Sequence, residues 1–124
     1  MPHNKPKYTL FKNASYAIAG LKEVAQNEKP FQIELFFFVL MSVVTYFLPI
    51  ALGYKAVLFI SLFIPLMAEL ANSAVERVVD LVTSDYHILA KHAKDAASAL
   101  VLMSIITTSL IWSAVLLFAF GIVS

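Results

Sequence analysis

The hydrophobic and polar positions of this chain fall into long apolar runs separated by short polar segments. Residues 35 to 52, LFFFVLMSVVTYFLPIAL, carry no charge. They are about long enough to cross roughly 30 Å of hydrocarbon, which predicts a first membrane span over about 31 to 52. GYK at 53 to 55 reads as a turn with a helix-breaking glycine, so the next span returns through the membrane over about 55 to 83. The third span, about 93 to 122, is the most apolar, since residues 96 to 123 hold no charged side chain and include Trp112, the one tryptophan.

Ahead of these runs the period changes. Phe11, Ala14, Ile18, Leu21 and Ala25 recur at three- and four-residue steps between Lys12, Lys22 and Glu23. That spacing predicts an amphipathic helix over about 6 to 27, lying in the membrane interface. Pro30 marks a bend between it and the first span. The fold expected is all-α: three transmembrane helices and one surface helix, forming a single domain over residues 1–124.

Composition removes the soluble alternative. Of the 124 residues, 60% are hydrophobic and 14% charged, and the mean hydropathy is +0.82, far from the balance of a water-soluble domain. With no cysteine, disulfides, thiolate nucleophiles and thiolate metal sites are excluded. The polar N-terminus lacks the pattern of a cleaved secretory leader, so no processing is expected. Lys5, Lys7, Lys12, Lys22 and Lys29 precede the first span, Lys91 and Lys94 lie between the second and third, and Lys55 falls on the opposite side. By the positive-inside tendency the N-terminus and the loop around 83 to 95 are cytoplasmic and the C-terminus is external.

The second apolar run then does something unexpected. It continues as AELANSAVERVVD, residues 68 to 80, and Glu69, Asn72, Glu76 and Asp80 fall within an arc of roughly 80° at about 100° per residue. Carboxylates at membrane depth are costly and must face protein, water or a cation. An inter-helix hydrogen-bonding seam is one reading. Several acids on one face repel one another unless a proton, a monovalent ion or a divalent metal lies between them, and oxygen-only ligands favour Mg2+ over zinc. Glu28 and Glu34, near the cytoplasmic start of the first span, are further carboxylates at a position to converge on the depth of the stripe, and a solvated interfacial surface accounts for them equally well.

The loop SDYHILAKHAKDAASA, residues 84 to 99, offers Asp85, Tyr86, His87, Lys91, His92, Lys94 and Asp95. Such a set suits a nucleotide, although a juxtamembrane charged loop against anionic head groups looks similar and is the commoner origin of such residues. Gly20, Gly53 and Gly121 are far apart and no GxxxxGK[ST] is present, so a nucleotide here is not cradled by a glycine-rich loop. Phosphate charge would be met by metal on carboxylates and by lysine.

Taken together, NEKPF followed by Glu34, then ELANSAVERVVD, DYH and AKDAASA, the chain resembles the prokaryotic diacylglycerol kinases, which include undecaprenol kinases. The resemblance covers nearly the whole chain and implies a homotrimer in the bacterial inner membrane that uses MgATP to phosphorylate a lipid hydroxyl, with no nucleic-acid partner. It implies Glu69 as general base and Asn72 beside it, and Glu28 and Glu76 as ligands of Mg2+. For ATP it implies Tyr16, Glu28, Glu76, Asp80, Asp85, Tyr86, His87, Lys94 and Asp95. For the lipid it implies Glu34, Lys55, Glu69, Ser98 and Trp112. Thr9 stands near where relatives can carry an arginine that reaches ATP, and AIAG after Tyr16 lacks the Ser-Trp pair of some relatives. ELANSAVE with DYHILAKHAKDAASA resembles the diacylglycerol-specific members more than the undecaprenol kinases. An ion-conducting oligomer and a purely structural subunit are the rival functions.

Overall fold

The computed structural model describes residues 9–123, and five α-helices run in series among them. They are α1 (Leu10–Asn27), α2 (Lys29–Phe47), α3 (Leu52–Ser61), α4 (Phe63–Val82) and α5 (Ile88–Ala119). Lys5, Lys7 and the expected helix start near residue 6 lie outside the described residues. Three stretches are long and apolar enough to cross a membrane: Lys29–Phe47, Leu52–Val82 and Ile88–Ala119.

Local chemistry sets the ends. Thr9 is the N-cap of α1, its hydroxyl accepting from the Lys12 amide at 3.1 Å. Glu28 is extended, at φ −105 and ψ 108, and joins α1 to α2 with Pro30 in the first turn of α2, where a missing N–H costs nothing. From that turn Gln32 Nε2 reaches back to the carbonyls of Ala25 and Gln26, at 3.0 and 3.2 Å, and satisfies the end of α1. The chain reverses at residues 48 to 51, ahead of GYK: Leu48, before Pro49, takes the extended conformation that a following proline imposes, and Gly53 lies inside the first turn of α3.

The second crossing is two helices in series. At Leu62 the amide turns to the Phe59 carbonyl, three residues back, because Pro65 has no N–H for the Ser61 carbonyl and its ring crowds that position. The vacancy is filled from α5, where Thr108 Oγ1 donates to the Ser61 carbonyl at 3.1 Å and Trp112 Nε1 donates to Ser61 Oγ, also at 3.1 Å. Ser104, Thr107, Ser109 and Ser113 instead donate to carbonyls of their own helix, which suits an apolar surround. Thr108 and Trp112 thus tie α5 to the break.

Packing gathers around α4, which lies along α5 and also meets α2, α3 and α1. Val24, Phe31 and Leu66 form the buried cluster, with Ala25, Phe38 and Leu70 against it. Phe38, Phe59 and Phe63 stack edge-on or tilted, 4.9 to 5.8 Å apart, and fasten α2 across the α3–α4 junction. Most large apolar side chains of α2 and α5 are exposed, as helices facing lipid or other helices must be.

Candidate functional site

The polar stripe starts one turn after Pro65, on the face of α4 turned inward. Glu69, Asn72 and Ser73 are buried, Glu69 only 4% exposed, while Glu76 is half-buried and Asp80 exposed. Helical spacing puts Asn72 between the two acids, and its Nδ2 donates to Glu69 Oε1 and to Glu76 Oε1, each at 3.2 Å. One amide therefore orients two carboxylates that would otherwise repel. Asn72 Oδ1, Ser73 Oγ and Glu34 Oε2 are buried without a hydrogen-bond partner among the described residues. Orphaned polar atoms clustered near a buried carboxylate mark a place built for something further. Glu34 comes from α2 and lies within electrostatic reach of Glu69.

A second group sits where α1 meets α2. Arg77, next to Glu76, donates through Nε and Nη2 to Glu28 Oε1 at 3.2 and 2.7 Å, and through Nη1 to Glu23 Oε2. That hydrogen bond holds the Glu23 carboxyl below its ordinary value of 4.5. Sequence patterning passed over Arg77, although it is the sole arginine of the chain and stands on the same helix as the acidic stripe.

Beyond the stripe, Asp80 accepts from Lys94 at 2.6 Å and joins the end of α4 to α5, and Lys91 pairs with Asp95 at 2.5 Å. His87 caps α5, its Nδ1 accepting from the Leu89 amide at 3.1 Å, while Thr83 Oγ1 accepts from the Asp85 amide. Tyr86 is exposed and Tyr16 half-buried on α1. Of the residues expected at the lipid, Glu34 and Trp112 border one cleft of about 460 Å³ between α2, the α3–α4 break and α5, together with Phe37, Phe38, Met41 and Pro65. Ser98 is exposed outside the residues that line it. Lys55 is turned away toward the 48–51 reversal, its Nζ 2.6 Å from the Tyr46 carbonyl and 5.8 Å from that ring's centre.

Among the described residues no three His, Asp or Glu side chains gather as a metal cage. Mg2+ that arrives on ATP needs no such cage, because one or two carboxylates, phosphate oxygens and water complete its shell. The bonds described above engage Oε1 of Glu28 and of Glu76 and leave Oε2 of each out, and carboxylate oxygens suit a hard cation.

The sequence profile of the family described as prokaryotic diacylglycerol kinase matches residues 15–116. A diacylglycerol kinase of Escherichia coli is 34% identical over 122 residues, covering 98% of this chain and 100% of the relative. The Haemophilus influenzae protein of that name is 36% identical over 110 residues, 88% of this chain and 92% of the relative. A third, from Helicobacter pylori, is 34% identical over 116 residues, 94% and 91% of the two chains.

Proposed function

The chain belongs to the prokaryotic diacylglycerol kinase family, and from that membership we propose that it transfers the γ-phosphate of ATP to the primary hydroxyl of diacylglycerol, giving phosphatidate and ADP. The relatives' shared name favours diacylglycerol over undecaprenol. The observation that carries the mechanism is the buried Glu69 carboxylate, joined through Asn72 to Glu76. An acid held at this depth is explained by work that it does on a substrate.

Diacylglycerol enters sideways from the bilayer along the cleft of Glu34 and Trp112. Its hydroxyl reaches Glu69, which takes the proton as the oxygen attacks the γ-phosphorus. The new O–P bond forms as the bond to the β-phosphate oxygen breaks, and ADP carries that oxygen away. Asn72 keeps Glu69 aimed at the hydroxyl and Glu76 aimed at the nucleotide. Glu28 and Glu76 would hold Mg2+, which would neutralise charge developing on the phosphate oxygens. Lys94, handed over by Asp80, meets phosphate oxygens, while Asp95, Asp85, Tyr86, His87 and Tyr16 bound the nucleotide.

Such a site works at the cytoplasmic face of the inner membrane, where ATP is, with the N-terminus inside and the C-terminus outside. We place three copies of the chain in the working enzyme, sharing sites. The half-buried Glu76 and exposed Asp80 support this, since one chain alone does not shield the whole stripe from lipid. α1 then lies on the membrane surface. In the test, Glu69→Gln keeps binding of a non-hydrolysable ATP analogue and loses phosphorylation by about 10²- to 10⁴-fold. Turnover near that of the wild type would remove Glu69 from the base role.

A further inference from the structure

Arg77 has the geometry of a ligand-binding group at rest. Its guanidinium spends three donors on two carboxylates, two of them on the single oxygen Glu28 Oε1 and one on Glu23 Oε2. Glu28 is also one of the two acids proposed above for the metal of MgATP, and Glu76, the other, is the neighbouring residue in α4. The pairs are solvent-exposed, with 43% of the Arg77 side chain and 25% of the Glu28 side chain accessible. Exposed ion pairs are weak and are exchanged readily for a more highly charged partner.

Charge leads to the same point. Glu23 and Glu28 face one arginine, and Glu76, the residue before it in α4, is turned to Asn72, so the three acids around this end of α4 exceed the arginine by two negative charges that a divalent cation balances. A triphosphate arriving with that cation brings further negative charge. Of the nearby lysines, Lys94 is the one already assigned to phosphate oxygens above, and Lys91 pairs with Asp95, so a single lysine meets a triphosphate unless Arg77 joins it. When Glu28 turns to the metal, Nε–H and Nη2–H of Arg77 are released beside the arriving phosphates, while Nη1 stays on Glu23 and keeps the group in place. A planar guanidinium fork matches phosphate oxygens in a way lysine does not.

We propose that Arg77 is a phosphate-binding residue of the nucleotide site, resting on Glu28 and Glu23 without nucleotide and turning two N–H donors to the β- and γ-phosphate oxygens of MgATP. This rests on the reading of Glu28 and Glu76 as the metal-nucleotide ligands.

The test is equilibrium binding of a non-hydrolysable ATP analogue with Mg2+ to the full chain in micelles, read by calorimetry, beside the thermal midpoint without nucleotide and the KM for diacylglycerol. Losing charge-assisted hydrogen bonds, Arg77→Gln weakens analogue binding by about tenfold or more and leaves the lipid KM unchanged. Arg77→Lys, with the charge but not the fork, falls between. A purely structural arginine would lower the thermal midpoint and leave the affinity alone, and that result overturns the proposal while the function stands. If wild-type protein fails to bind the analogue, the metal-nucleotide reading falls and this inference with it. Should Arg77→Gln not keep its helical fold, Arg77→Lys decides: weakened binding upholds the role and wild-type affinity overturns it.

Discussion

Asn72 shows how much a single side chain settles at this site. Its one amide nitrogen touches Glu69 and Glu76, so the proposed base and a proposed metal ligand share an orienting group. Asn72→Asp would place a third carboxylate between two others and misaim both. A fall of about 10²-fold in kcat is expected, with the helical fold retained by circular dichroism. Glu23 makes a prediction about pH. Because its hydrogen bond from Arg77 depresses the folded-state pKa, its contribution to stability is present above the ordinary value of 4.5 and is lost as pH falls through the lower folded value. Glu23→Gln should therefore lower the thermal midpoint near neutral pH, and the difference from wild type should vanish in acid. The angular arithmetic on α4 was enough to group Glu69, Asn72, Glu76 and Asp80 from the sequence. Arg77 escaped it because its partners are 49 and 54 residues away, at the α1–α2 junction and on α1, a separation that no helical period encodes.

Among the elements, the α3–α4 break is where local chemistry overrode the hydropathy pattern. An apolar run reads as one crossing whether or not one hydrogen bond in it is missing, so the second span looked continuous. Pro65 was the visible sign, but what its missing N–H leads to depends on Thr108 and Trp112, brought in from α5 by tertiary packing. Gly53 misled in the opposite direction, drawing the expected turn to itself when Pro49 had already set it. A double-mutant cycle tests this account. Thr108→Val leaves the Ser61 carbonyl without its donor and should cost about 1–3 kcal/mol. In a Pro65→Ala background the helix supplies its own N–H, and the same substitution should cost clearly less, read as thermal stability in detergent. Equal costs in both backgrounds would mean that the Thr108 bond does not answer the proline.

At the level of the whole molecule, the three crossings were legible because apolar length is a coarse property that survives any detail of packing. The site was legible as a set of residue types and less so as an arrangement. Glu34 and Trp112 do meet at one cleft, whereas Lys55 is drawn to the far turn by the Tyr46 carbonyl, and His87 spends Nδ1 on capping α5. Those placements depend on which backbone groups lack partners, which a sequence does not display. The central claim, that this membrane-embedded stripe serves a lipid kinase, is tested most directly by purified protein in mixed micelles with γ-labelled ATP, offered diacylglycerol and undecaprenol side by side, with and without Mg2+. The account predicts label in phosphatidate, dependent on Mg2+ and strongly favouring diacylglycerol. No labelled lipid under any condition, or label preferentially in undecaprenyl phosphate, would contradict it.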